Sequence, residues 1–232
     1  SVPLGEVSQS NKIWNHVEEG VVAADWAAHL HRNGLRVGRG TTQSWAPIRA
    51  ILESTRNART RSDSVVTRGG GAVTLEVSGA PRDQVLFLHR PGGGMAGATF
   101  AHSVNALRIE YAVPPTEMDS VELWILPEIR QRDLGPGWQV TRGEIQPRPT
   151  EASRVLRELA FHVVVPADQF VVIGPSSQIR RQLLIGRAML TESIDGQTYE
   201  SLYFITPRVI RVGGPPGVGA REQTTHDTAA QP

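Results

Sequence analysis

Strict alternation of apolar and polar residues in the middle of the chain constrains its fold more than any other feature. The stretches 73–77, 107–113 and 121–125 each place an apolar residue at every second position. A period of two is typical of antiparallel strands that have one face on a core and the other facing water or a partner. Clusters of glycine and proline separate the stretches as turns. Residues 65–213 are therefore predicted to form an antiparallel β-sandwich or open barrel.

The last third of the sequence continues as short β-type runs. Residues 160–165 and 170–173 are apolar enough for buried strands, and 150–159 is interpreted as a short helix that leads into the first of them. Asp195-Gly196 is the clearest hairpin signal in the chain, since a type I′ turn needs positive φ at both central positions.

The closing strand is apolar on both faces. Tyr203 and Ile205 alternate with Phe204, so the strand is expected inside the sheet packing or under a partner. Pro207 lacks an N–H and is predicted to interrupt ladder pairing, before Val209 resumes it at an edge. We therefore take Tyr203, Phe204, Ile205 and Pro207 as strand or interface residues.

The first 57 residues have the best helical signals. Short helices are predicted around Trp14, from Ala23 to Arg32, and from an N-cap at Ser44 through Leu52. With a brief strand at 35–37 they indicate a small α/β module. Residues 58–64 are polar and basic and are interpreted as a linker, and 214–232 as a disordered tail. The fold class is α+β, mostly β.

Composition excludes several classes of function. A formal net charge of +1 gives no long-range field for a polyanion, so nucleic acid is not expected as a partner. The absence of cysteine excludes disulfides, thiolate catalysis and cysteine-type metal sites. No apolar run reaches the roughly 20 residues of a transmembrane helix. Because the sequence starts at Ser1 without a methionine, a signal peptide or a lipid-anchored cysteine before this residue is one of the possibilities.

The residues that most often perform catalysis show no convincing spacing, and no cofactor is expected. His29 and His31 point in different directions on a helix, and a metal site of His89, His102 and His162 has no signature spacing. The glycine-rich loop at 92–94 lacks the lysine and following helix of a phosphate loop. These patterns favour a protein that is not an enzyme.

Three tryptophans form a possible binding face. Trp45, Trp124 and Trp138 could stack against sugar rings, and carboxylates lie in the sequence near the last two. Packing in a core or hairpin is the alternative for each indole.

Two resemblances bear on function. Residues 200–210, which end in Phe-Ile-Thr-Pro-Arg-Val-Ile, resemble the last strands of the conserved β-domain of outer-membrane secretins. Residues 2–5, 13–19 and 33–38 are similar to envelope-associated proteins of planctomycete-type bacteria. The second resemblance implies an exported protein, and the expected location is the periplasm or cell envelope.

The sequence leads to two main hypotheses. The first is a non-catalytic structural or adaptor protein of a bacterial cell-envelope assembly, which contacts other envelope proteins or copies of itself. The second is a carbohydrate-binding or carbohydrate-cleaving β-sandwich that uses the tryptophans. A metal-dependent enzyme that uses strand histidines is a third, weaker option.

Overall fold

The computed structural model describes residues 1–67, 70–117, 119–132, 138–141, 144–147 and 151–210. Three α-helices, α1 (Ala24–Arg32), α2 (Thr42–Ser54) and α3 (Ile185–Leu190), accompany fourteen strands among these residues. The strands are β1 (Val2–Pro3), β2 (Leu35–Thr41), β3 (Gly71–Glu76), β4 (Arg82–His89), β5 (Met95–Ala112), β6 (Ser120–Gln131), β7 (Trp138–Thr141), β8 (Glu144–Pro147), β9 (Ala152–Val155), β10 (Phe161–Pro166), β11 (Gln169–Pro175), β12 (Thr191–Ile194), β13 (Gln197–Glu200) and β14 (Tyr203–Ile205). The predicted class, α+β and mostly β, is confirmed.

The strands form two main antiparallel sheets that pack face to face. The large sheet has the order β10-β6-β5-β3, with β4 also on β5 and β9 also on β6. The second sheet has the order β14-β11-β2. A small sheet β1-β13-β12 and the hairpin β7-β8 complete the described strands. The two main sheets give the sandwich-like arrangement that alternation predicts.

Strand β11 shows why the fold has two cores. Its residues Val171 and Ile173 point into the main core between the two sheets, whereas Phe170 and Val172 point to the opposite face. There they meet α2 and the N-terminal segment, with Ile48 fully buried in this second core. Because β11 is covered on both sides, it carries a continuous apolar run instead of an alternating one. Each fully buried branched side chain contributes about 1.5–3 kcal/mol.

The predicted N-terminal module shares its sheet with the C-terminal part of the chain. Strand β2 pairs along its whole length with β11, from Leu35↔Pro175 to Thr41↔Gln169. Leu30, Leu35 and Val37 belong to the same buried cluster as residues of the large sheet. Residues 58–64 have no regular secondary structure, and Arg59 exchanges backbone hydrogen bonds with Ser1. The predicted tail, 214–232, lies outside the described residues.

Helix α2 begins earlier than the sequence suggests. We expect Ser44 as the N-cap, but the cap is Thr41, and Ser44 occupies the third helical position. The Thr41 backbone N–H donates to the Ser44 hydroxyl at 3.4 Å. Ser44 therefore supplies a hydrogen-bond acceptor to the N-cap residue from the first turn of the helix. Pro47 lies in the interior of the helix and not in its first turn.

The prediction of a short helix at 150–159 is wrong. Residues 152–155 pair with β6 as strand β9, and Arg157–Leu159 forms a 3-10 helix. Leu156 and Leu159, whose spacing suggests an α-helix, are both buried. A 3-10 helix has three residues per turn, so it places residues three apart on one side equally well.

The Asp195-Gly196 hairpin is confirmed between β12 and β13, with φ of 52° at Asp195 and 78° at Gly196. A Cβ on Gly196 would meet no atom within 4 Å, so substitution there strains only the backbone. We expect Gly196→Val to lower the free energy of unfolding by about 1 to 2 kcal/mol. Urea denaturation measures this, with Asp195→Asn as a control because asparagine tolerates positive φ. Equal stability of Gly196→Val and the parent protein would contradict the turn.

Candidate functional site

Strand β14 is an end strand of the second sheet and has one open edge. It pairs with β11 through Tyr203↔Ile173, Phe204↔Val172 and Ile205↔Val171. Within the part of the chain that the structure describes, no strand pairs with its other side. Alternate residues of an end strand direct their N–H and C=O groups outward, where another strand can pair with them. The open side of β14 is therefore a template for strand addition.

Both faces of β14 are packed. Phe204 makes edge-to-face contacts with Trp45 of α2 and Phe170 of β11, at ring-centroid distances of 5.1 and 5.9 Å. On the other face, Tyr203 and Ile205 pack against the main core. The expected covering of both faces is found, but β14 lies at the margin of the sheet instead of inside it. The strand is therefore held in place while its backbone edge stays open.

The opposite edge of the same sheet is bridged at one position. The backbone N–H groups of Glu18 and Arg39 each donate to the carbonyl of the other residue at 2.8 Å, so the N-terminal segment pairs with the outer side of β2 at Arg39. The Arg39 guanidinium also donates to the Glu18 carboxylate at 2.9 Å. Among the described residues, the outer side of β2 is therefore bridged at one position, whereas no strand or bridge pairs with the outer side of β14.

The chain beyond β14 exposes apolar side chains. Residues 206–210 belong to no strand, and Val209 and Ile210 are 39% and 72% exposed. The expected return to strand pairing at Val209 is therefore not seen. Pro207 lies two residues past the end of β14, and its missing N–H agrees with the end of pairing there. We call the open side of Tyr203–Ile205, together with residues 206–210, the β14 edge.

Tyr203 anchors the β14 edge to the large sheet. Its hydroxyl donates to the Val77 carbonyl at 3.2 Å. Burial raises the pKa of Tyr203 to about 12, against a small opposing effect of a hydrogen bond with Ser201. The phenol therefore stays a neutral donor at physiological pH.

The raised pKa of Tyr203 predicts a loss of stability in alkali. The unfolded tyrosine ionises near 10.0 and the folded one near 12, so the folded state holds this proton more tightly. The resulting stabilisation is complete below pH 10 and is lost between pH 10 and 12, and it amounts to about 2 to 3 kcal/mol. Urea denaturation across this range should show the decline in the parent protein and a much flatter profile in Tyr203→Phe. Parallel profiles of the two proteins would contradict the prediction.

The structure does not bring Trp45 and Trp124 together. Trp45 lies on α2 beyond the second sheet, whereas Trp124 lies on the face of the large sheet that points away from the main core, since its neighbours Leu123 and Ile125 are buried in that core. Both indoles are 37% exposed. The backbone of Trp138 belongs to β7, and its side chain lies outside the described structure. The predicted binding face is thus divided between opposite outer layers.

A cavity of about 260 Å³ lies between α1 and β2. On its rim, the Arg36 guanidinium donates to both oxygens of Glu19 at 2.5 and 2.6 Å and to Asn11 at 3.0 Å, and it stacks 4.3 Å from the Trp14 ring centroid. Desolvation lowers the pKa of His31, which also lines the cavity. Glu19 and Asn11 thus occupy the guanidinium of Arg36, which has no free pair of N–H donors for an anion.

The three strand histidines of the weaker metal-enzyme option do not form a metal centre in the described part of the chain, where no group of three or more His, Asp or Glu side chains could hold a metal ion. His162 instead stacks on Trp124. His89 ends β4, and its N–H donates to the Asn33 side chain at 2.7 Å.

Comparison with protein-family models, with curated proteins and with solved structures gives no match. None of the helices in the described ranges is long and apolar enough to cross a membrane.

Proposed function

We propose that this protein is a non-catalytic structural component of a bacterial cell-envelope assembly, and that it associates through the β14 edge with a second copy of itself. The observation that carries the proposal is a strand that is packed on both faces and that has one backbone edge unpaired within the described part of the chain. Such a strand needs little further ordering before it pairs, so little conformational entropy is lost on association.

Pairing of two β14 strands is geometrically simple. When two identical strands pair antiparallel about a two-fold axis, both copies use the same residues for the contact. No further copy can add to it, so the assembly stops at a dimer. The second sheets would then continue as β2-β11-β14-β14-β11-β2 across the dimer. Tyr203, Phe204 and Ile205 are uncharged, so no like charges oppose each other across the new pair. Burial of Val209 and Ile210 would add about 25 cal/mol per Å² of apolar surface.

The envelope location rests on sequence resemblance. Residues 200–210, which contain β14, are the part that resembles the last strands of the secretin β-domain. The N-terminal residues are similar to envelope-associated proteins, which supports a periplasmic or envelope-bound role. A role in envelope assembly through strand pairing agrees with both resemblances.

Cysteine cross-linking tests the proposed contact, because the chain has no cysteine of its own. If Tyr203–Ile205 pair with themselves about Phe204, the two copies of Thr206 lie about 13 Å apart, at roughly 3.3 Å per residue along the strands. Thr206 is exposed and directly follows β14, so Thr206→Cys in two paired copies should give a covalent dimer with a bismaleimide reagent of matching length. Thr116, which is also exposed, lies in a turn of the large sheet and supplies the control Thr116→Cys. Equal cross-linking at both positions, or none at position 206, would contradict the proposed dimer.

A charge-substitution pair tests the side-chain part of the contact. We expect Val209→Asp with Ile210→Asp to shift the protein from dimer to monomer in sedimentation experiments, because the pair places like charges in the interface. The matched control is Val65→Asp with Val66→Asp, since these valines are 64% and 83% exposed and lie in another segment. Loss of the dimer in both variants, or in neither, would remove the β14 edge as the interface.

A further inference from the structure

A row of three chemically different side chains crosses the outer face of the large sheet. Glu110 of β5 lies directly opposite Trp124 of β6, and Trp124 lies directly opposite His162 of β10. Side chains at opposed positions of antiparallel strands have Cβ atoms about 4.5–5.5 Å apart. Carboxylate, indole and imidazole therefore stand side by side on adjacent strands.

The indole of Trp124 is supported and at the same time accessible. Its ring lies 4.7 Å from the His162 ring at an interplanar angle of 30°. Trp124 nevertheless stays 37% exposed, and His162 is exposed as well. Cross-strand stacking explains the contact between the rings, and it holds the indole in place while part of its surface stays open to a ligand.

Polar groups frame this indole. The Arg108 guanidinium donates to Glu110 at 2.9 Å, and these two side chains are 40% and 41% exposed. A ligand on Trp124 can therefore reach a carboxylate acceptor and guanidinium donors at once. On the β3 side, Ala72 lies opposite Glu110, so the row ends in a methyl group and not in a bulky side chain.

We infer that this outer face binds a carbohydrate, with a pyranose ring stacked on Trp124 and its hydroxyls bonded to Glu110 and Arg108. A pyranose with equatorial substituents has C–H groups on both ring faces and hydroxyls around its rim. The electron-rich face of an indole complements those C–H groups, and paired carboxylate and guanidinium groups complement the rim. The chemical class is a β-linked chain of glucose or N-acetylglucosamine units, whose substituents are equatorial.

The charges at this face favour a neutral sugar over an ionic ligand. The mutual pairing of Arg108 and Glu110 leaves little net charge on that side of the indole. Glu122, two residues before Trp124 on the same face of β6, adds a carboxylate that disfavours an anionic ligand. A nucleic acid strand needs unpaired cations that track its phosphates, and the net charge of +1 supplies no surrounding field for it.

Isothermal titration calorimetry with cellohexaose and chitohexaose tests the site and separates glucose from N-acetylglucosamine chains. We expect one of them to bind the parent protein, and Trp124→Ala to weaken that binding by at least about tenfold. Glu110→Gln should weaken it several-fold. Trp45→Ala is the matched control, because Trp45 is equally exposed but lies on the opposite layer, and it should leave binding unchanged.

Two further measurements keep the inference falsifiable. Trp124→Phe retains an aromatic ring and should keep part of the affinity, and circular dichroism shows whether each variant is folded. Absence of binding to both oligosaccharides would overturn the site, as would equal losses in Trp124→Ala and Trp45→Ala. The site is independent of the β14 edge, so Val209→Asp with Ile210→Asp should bind the sugar as well as the parent protein does.

Discussion

Glu200→Ala is expected to lower the free energy of unfolding by about 3 to 6 kcal/mol, because it leaves three buried donors without an acceptor. Glu200 is fully buried, and its carboxylate accepts the backbone N–H groups of Val7 and Ser8 at 3.1 Å each. The Ser8 hydroxyl donates to it as well. The side chain thereby fixes the N-terminal segment to β13, beside the pairing of Val2 with Glu200 itself.

Urea denaturation of Glu200→Ala measures this loss, and Ser8→Ala provides a graded comparison. Ser8→Ala removes one donor and leaves the carboxylate its two backbone partners, so a loss of only about 1 kcal/mol is expected. A loss below about 1 kcal/mol in Glu200→Ala would show that the N-terminal segment does not depend on the carboxylate.

Phe204→Ala is expected to cost about 3 kcal/mol. The value lies at the lower end of the range for aromatic truncations because Phe204 is only partly buried. Loss of its edge-to-face contacts with Trp45 and Phe170 contributes about 0.5–1.5 kcal/mol for each pair.

A thermodynamic cycle separates these contacts from simple loss of buried area. Phe204→Ala and Trp45→Ala should be less than additive when they are combined, because the two rings touch. Val209→Ala, outside the cluster, should cost less than about 0.5 kcal/mol. A cost of under about 1 kcal/mol for Phe204→Ala would mean that this face of β14 is not packed.

Local patterns predict the elements of this protein well. The Asp195-Gly196 turn needs only two residues with positive φ, and the apolar run at 170–173 needs only a strand that is covered on both sides. Leu156 and Leu159 are compatible with two kinds of helix, because a spacing of three suits both an α-helix and the 3-10 helix that forms. Local sequence therefore specifies the type of element most clearly where one geometry fits.

Long-range pairing explains what the sequence does not reveal. The sharing of a sheet between β2 and β11 depends on strands far apart in the chain, so composition alone suggests a separate N-terminal module. The role of Glu200 is equally hidden, since a glutamate at a strand end usually indicates a solvated surface. Its donors, Val7 and Ser8, approach only after folding.

The structure groups the candidate residues differently from the sequence. The sequence assigns Trp45 and Phe204 to separate surfaces, whereas their rings touch and Phe170 of β11 contacts both. The sequence also suggests one face for Trp45 and Trp124, whereas the cross-strand neighbours of Trp124 are Glu110 and His162. Strand register decides such neighbours, and a one-residue change in register would place Trp124 on the other face.

Amide hydrogen exchange of β14 at increasing protein concentration tests the proposed association most directly. If two copies pair through this edge, the outward N–H groups of Tyr203–Ile205 become hydrogen-bonded, and their protection should rise with concentration. The amides of Gln197–Glu200, which are paired within the chain, should exchange at a constant rate and serve as the reference. Exchange in β14 that stays equally fast at every concentration would contradict assembly through the β14 edge.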